Sequence, residues 1–180
     1  MSLPGLLDRI PTDHVPLRDT VQGLLFVTLP GLGFLVVLLL VSGEGRFPDL
    51  GVPGSLPWQL WAIAACGIPA TAAGYLDWHY HATGRRVVGS GERRGELIAL
   101  GAGGLPLFVF MCLASASSRP EIWLLPIIAT FTFTTAMVCF DEFVLHRRAC
   151  TRYETALHRT LVIGNGLAWA AWMHWIYVGG

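Results

Sequence analysis

Residues 21–41 read VQGLLFVTLPGLGFLVVLLLV, a stretch without a single charged side chain. A transmembrane helix needs about 20 mostly apolar residues, so this stretch alone is long enough to cross a bilayer. Four further stretches are mostly apolar and long enough to cross a bilayer, although each contains a charged residue; they extend over residues 58–80, 96–116, 122–145 and 156–178. Short connections join them. The sequence therefore predicts an all-α integral membrane protein, a five-helix transmembrane bundle that forms a single domain over residues 1–180.

The overall composition excludes an ordinary soluble domain. The chain is 53% hydrophobic and only 13% charged, whereas soluble domains carry roughly 25% charged residues. Its mean hydropathy is +0.55, which favours lipid as the main solvent. The 12 basic residues balance 12 acidic ones, and no basic patch with interleaved aromatic residues occurs. We therefore expect membrane lipids as partners and no binding of nucleic acid.

The distribution of arginine predicts the orientation in the membrane. Arginines cluster between the second and third stretches and again between the fourth and fifth, and arginine-rich loops stay on the cytoplasmic side. With five spans, this rule places the N-terminus inside and the C-terminus outside. The N-terminal segment lacks the basic start and apolar core of a signal peptide, so the first stretch is expected to remain as an anchor. A multi-pass protein of a bacterial inner membrane is predicted.

Three segments repeat one pattern, an acidic residue followed four positions later by histidine. The pairs are Asp77 with His81, Glu142 with His146, and Glu154 with His158. On an α-helix, positions i and i+4 lie on the same face one turn apart, so each pair directs a carboxylate and an imidazole the same way. In the predicted topology the pairs end spans two and four and begin span five, all at the cytoplasmic side. We expect them to converge.

Three carboxylates and three imidazoles form a ligand set for one or two transition-metal ions. The strongest candidates are His146, His158, Glu142 and Glu154. Asp77 and His81 rank next, and His79 and Asp141 are reserve ligands. Iron is the expected metal and zinc the alternative, while haem ranks below both because it needs only the imidazoles. The competing interpretation is that each pair forms an ion-pair cluster with arginines at a helix end.

The ligand mix predicts an integral-membrane non-haem metal enzyme, in particular a di-iron enzyme. Histidine and carboxylate ligands leave coordination positions open, which suits oxygen activation or metal-assisted hydrolysis. A site at the cytoplasmic membrane face favours a lipid-like or other amphiphilic substrate, and oxygen-dependent hydroxylation or desaturation is the expected reaction. Three other functions fit the same residues: a metal-binding transport or sensing module, a haem-binding membrane cytochrome, and a structural or assembly subunit of a membrane complex.

Two further polar residues lie within the fifth stretch. His174 follows His158 by about 24 Å along a helix that rises ~1.5 Å per residue, so we expect it near the outer face and apart from the cluster. Asn165 lies between Gly164 and Gly166. Such an amide beside small residues favours a hydrogen bond between two transmembrane helices.

Overall fold

A computed structural model describes residues 17–44, 46–52, 54–83, 95, 97–140 and 151–179. Within these residues the chain is all-helical and has no β-strand, as the sequence predicts. The five α-helices are α1 (Leu17–Leu40), α2 (Trp58–Ala82), α3 (Leu105–Ala116), α4 (Leu124–Phe140) and α5 (Arg152–Tyr177). A π-helical segment, Ala99–Gly104, leads into α3, and a 3-10 turn, Pro120–Trp123, leads into α4.

Three helical stretches are long and apolar enough to cross a membrane. They are Val21–Leu40, Ala99–Ala116 and Pro120–Phe140, with mean hydropathies of 2.5, 1.8 and 1.9. The prediction of membrane-spanning helices is therefore confirmed for these three stretches. Helices α2 and α5 carry the polar residues of the predicted site, and they pack against each other along much of their length.

Helices α2 and α5 run antiparallel and approach closely at Gly164. A Cβ atom on Gly164 would lie 2.8 Å from the carbonyl oxygen of Cys66 and 2.9 Å from the Cβ atom of Ala70. Glycine at such a contact lets two helix backbones come close together. Gly74 of α2 plays a similar part, because its free side faces Leu161 of α5. The antiparallel crossing brings the end of α2 beside the start of α5.

A cluster of buried side chains holds the opposite end of α5. Trp172, Trp175 and Ile176 are almost completely buried there. The indole nitrogen of Trp172 donates a hydrogen bond to Ser115 Oγ of α3 at 3.0 Å, and the guanidinium of Arg46 donates to the main-chain carbonyl of Ile176. This cluster fixes the rotation of α5 about its own axis. It thereby sets the direction in which residues at the other end of α5 point.

The closeness of the crossing makes Gly164 sensitive to any side chain. We expect Gly164→Ala to lower the free energy of unfolding by about 1–3 kcal/mol, the usual range for overpacking in a filled interior. Thermal unfolding in detergent measures the change. Gly166→Ala is the matched control, since no atom lies within 4 Å of a Cβ placed there. Equal stability of the two variants would contradict the close approach of α2 and α5.

Candidate metal centre

The last turns of α2 present Asp77 and His81 on one face. The Nε2 atom of His81 lies 3.6 Å from the Oδ1 atom of Asp77, as the spacing of four residues predicts. The ring of Tyr80 meets that of His81 edge to face at 5.7 Å between centroids, and Tyr80 also contacts Tyr153 of α5. These rings place aromatic surface beside the imidazole and help to hold its orientation.

A capping box starts α5 and fixes Glu154. The hydroxyl of Thr151 accepts a hydrogen bond from the main-chain nitrogen of Glu154 at 3.2 Å, and Glu154 Oε2 accepts one from the main-chain nitrogen of Thr151 at 2.7 Å. Such reciprocal bonds satisfy two main-chain donors at the start of a helix. The side chain of Glu154 is fully buried. His158 follows one turn later on the same side of α5.

The two helix ends meet at a single carboxylate oxygen. Asp77 Oδ1 lies 3.3 Å from His158 Nε2 and 3.6 Å from His81 Nε2. Glu154 Oε1 lies 3.8 Å from His81 Nε2. The candidate ligand atoms of Asp77, His81 and His158 all lie within 4.8 Å of one another. These three residues are therefore close enough to hold a metal ion.

Two of the three separations between the candidate ligand atoms are close to those between ligands of a common ion. Two ligand atoms bound tetrahedrally at about 2.0–2.1 Å from zinc lie about 3.3–3.4 Å apart, close to the two distances from Asp77 Oδ1. That oxygen is buried and accepts no hydrogen bond of good geometry within the described part of the chain. A buried carboxylate oxygen normally has a donor or a cation beside it. A metal ion between Asp77, His81 and His158 would satisfy it.

Charge balance leads to the same requirement. Glu154 is 0% exposed and Asp77 only 18% exposed. Removing two carboxylates from water is costly unless positive charge accompanies them. Protonated imidazoles would supply that charge in the absence of metal, and a divalent cation would supply it if both imidazoles were neutral ligands. Metal binding at this site would therefore release protons.

The structure brings together four of the six residues in the predicted ligand set, namely Asp77, His81, Glu154 and His158. Glu142 and His146, with the reserve ligand Asp141, lie outside the described residues. The other reserve ligand, His79, is exposed and stacks near Tyr75 at 6.3 Å between ring centroids. His79 thus lies on a different face of α2 from Asp77.

His174 lies at the opposite end of the α2–α5 pair, as its separation from His158 predicts. Its Nδ1 atom is 3.0 Å from Gln59 Nε2, and its ring lies 5.2 Å from that of Trp58. Gln59 is a buried polar residue for which the sequence pattern predicts no role. Nothing in the sequence around Gln59, which follows Trp58 at the start of α2, predicts its contact with His174.

Asp77 lies at the centre of the candidate metal site, although the sequence pattern does not place it among the strongest candidate ligands. Its oxygen lies beside imidazoles of two different helices, whereas the sequence pairs it only with His81. The signal available in the sequence is its position within the helical run, one turn before the end of α2.

Comparison with known protein families, curated proteins and solved structures gives no match, so this site is the basis for any proposed function.

Proposed function

We propose that the protein is an integral-membrane metal enzyme whose metal ion is held by Asp77, His81 and His158. The observation that carries the proposal is the buried Asp77 Oδ1 atom, which faces two imidazole nitrogens at 3.3 and 3.6 Å. Three protein ligands leave a coordination position for water or substrate, which is the arrangement of catalytic rather than structural sites.

We further propose five membrane spans with the N-terminus inside. Helices α2 and α5 contain 25 and 26 residues, and at 1.5 Å per residue each is about 38 Å long, more than the ~30 Å hydrocarbon core of a bilayer. Their acidic, basic and histidine residues lie near the two ends of the pair. With the predicted orientation, Asp77 and His158 lie at the cytoplasmic boundary, where an amphiphilic substrate can present a polar group without leaving the membrane.

Iron is the metal that we propose first. Two histidines and one carboxylate with open positions are the ligand set of non-haem iron(II) oxygenases. The proposed reaction is oxygen-dependent hydroxylation or desaturation of a lipid-like substrate. In this proposal the described residues hold one iron, and the predicted second iron would require Glu142 and His146. The chain's own contribution is to fix the ion at the lipid boundary and to keep carboxylate charge beside it.

Glu154 favours zinc-dependent hydrolysis as a second candidate. Zinc with three protein ligands activates a water molecule at its open position. The carboxylate of Glu154 lies 3.8 Å from a ligand nitrogen of His81, and its other oxygen is fixed by the main-chain nitrogen of Thr151. A carboxylate held so close to the site can accept a proton from that water. An ester or amide lipid would then be the substrate class.

Elemental analysis of the purified protein tests the proposal. We expect about one ion per chain in wild-type protein and a loss of most of it in the double variant His81→Ala/His158→Ala, since three ligands define the site. His174→Ala is the control, because that ring pairs with Gln59 at the opposite end. Iron would support the oxidative reaction, and zinc the hydrolytic one. Absence of metal in the wild type, or equal content in the double variant, would leave only an ion-pair cluster.

A further inference from the structure

One face of α5 carries polar side chains beyond the candidate ligands. Glu154, His158, Asn165 and Trp169 succeed one another at intervals that keep them on one side of the helix, since 3.6 residues complete each turn. Asn165 lies about 10 Å deeper than His158 along the helix axis, at ~1.5 Å per residue. This polar face therefore runs from the candidate metal centre into the apolar part of the bundle.

The polar face points toward neighbouring helices. On one side of Asn165, His158 contacts Asp77 of α2. On the other side, Trp172 is 2% exposed and donates to Ser115 of α3. Both residues are seven positions from Asn165, or about two turns, so they share its direction. Yet Asn165 is exposed, and it has no hydrogen bond to any residue that the structure describes.

An inward-facing side chain that stays exposed marks a space between helices. The interhelical hydrogen bond predicted for Asn165 is not among the contacts of the described residues. Trp169 bounds the far end of the space, because its ring stacks on Phe131 of α4 at 3.7 Å between centroids. The indole nitrogen of Trp169 is buried and donates to no acceptor within the described ranges. In hydrocarbon, donors without acceptors are costly, so the space favours a ligand that brings an oxygen.

We infer that this face of α5 is a binding trough for a lipid whose chain carries a carbonyl group about 10 Å from the end that meets the metal. The Asn165 amide donates a hydrogen bond to that carbonyl oxygen, and Phe131 and Trp169 close the trough beyond it. This inference rests on the proposed function, since the depth is counted from the ligand His158. The substrate class is then an acyl chain that carries an oxygen in its apolar part, and Asn165 is the residue that selects this chain.

Matched fatty acids test the trough directly. The nine C–C bonds from the first to the tenth carbon of a zigzag chain cover about 11 Å, so stearate with a keto group at its tenth carbon reaches Asn165 when its carboxylate faces the metal. In nanodiscs we expect wild-type protein to bind radiolabelled keto-stearate about three- to tenfold more tightly than stearate, as one hydrogen bond in a membrane interior allows. Stearate with the keto group at its third carbon cannot reach the amide and should show no such advantage.

Variants of α5 identify the residue responsible. Asn165→Leu and Asn165→Ala should each reduce the affinity ratio to about one without changing metal content. Thr160→Val removes a polar group from an exposed position on the other side of α5 and should keep the ratio. A wild-type ratio of one, or a ratio that survives both Asn165 variants, would overturn the trough whatever the metal content. A ratio that depends on Asn165 in metal-free protein would support the trough and refute the metal enzyme.

Discussion

Replacing Asp77 by asparagine is expected to lower the affinity for the metal ion by about a hundredfold or more. Sites with four ligands bind zinc with about 10–16 kcal/mol, or about 2.5–4 kcal/mol for each ligand, and each 1.4 kcal/mol is a factor of about ten. Asp77 carries an oxygen that lies beside both His81 and His158. Asparagine keeps the shape of the side chain but removes the negative charge.

A competition titration against a coloured chelator measures this affinity in purified Asp77→Asn protein. His79→Asn is the matched control, because His79 lies two residues away in the same helix and is exposed. The helical content of both variants should equal that of the wild type, since neither position contributes to the close crossing at Gly164. Wild-type affinity in Asp77→Asn would exclude this carboxylate as a ligand.

Replacing Glu154 by glutamine is expected to lower metal affinity by about 10- to 100-fold, the usual effect of losing a group that supports the ligands. The free energy of unfolding should stay nearly constant. Glutamine at this position can still accept the hydrogen bond from the main-chain nitrogen of Thr151 and preserve the capping box. Only the charge that faces His81 at 3.8 Å is lost.

Thr151→Ala provides the complementary variant. It removes the hydroxyl that accepts from the Glu154 main-chain nitrogen and should cost about 1 kcal/mol of stability, as loss of a helix cap does. The carboxylate of Glu154 remains, so metal affinity should change much less than in Glu154→Gln. Chelator competition and thermal unfolding on both variants separate the two effects. Unchanged affinity in Glu154→Gln would restrict Glu154 to starting the helix.

Sequence periodicity predicts which face of each helix carries the site, but not how the faces combine. The sequence joins Asp77 with His81 and Glu154 with His158. In the structure Asp77 lies closer to His158, at 3.3 Å, than to His81, at 3.6 Å, and Glu154 lies beside His81. The partners thus cross between helices, because the rotations of α2 and α5 depend on the contact at Gly164 and on the buried cluster around Trp172.

Hydropathy alone identifies some of the helices more clearly than others. Length and apolar composition alone identify three stretches as candidate membrane spans: Val21–Leu40, Ala99–Ala116 and Pro120–Phe140. Helix α5 has Arg152 and Glu154 in its first turn and His158 and Arg159 in its second. Apolar composition therefore identifies it as a membrane span less clearly. The helical spacing indicates which side of α5 carries Asn165, but its exposure there depends on three-dimensional packing and cannot be predicted from the pattern of residues.

The division of the site between α2 and α5 has a consequence for biosynthesis. The ribosome completes α2, with Asp77 and His81, long before it reaches Glu154 and His158. A nascent chain that ends before residue 151 therefore holds two of the three proposed ligands, Asp77 and His81, and would bind metal only weakly. If Asp77, His81 and His158 bind the ion as we propose, its acquisition would be a late step that follows synthesis of the last helix.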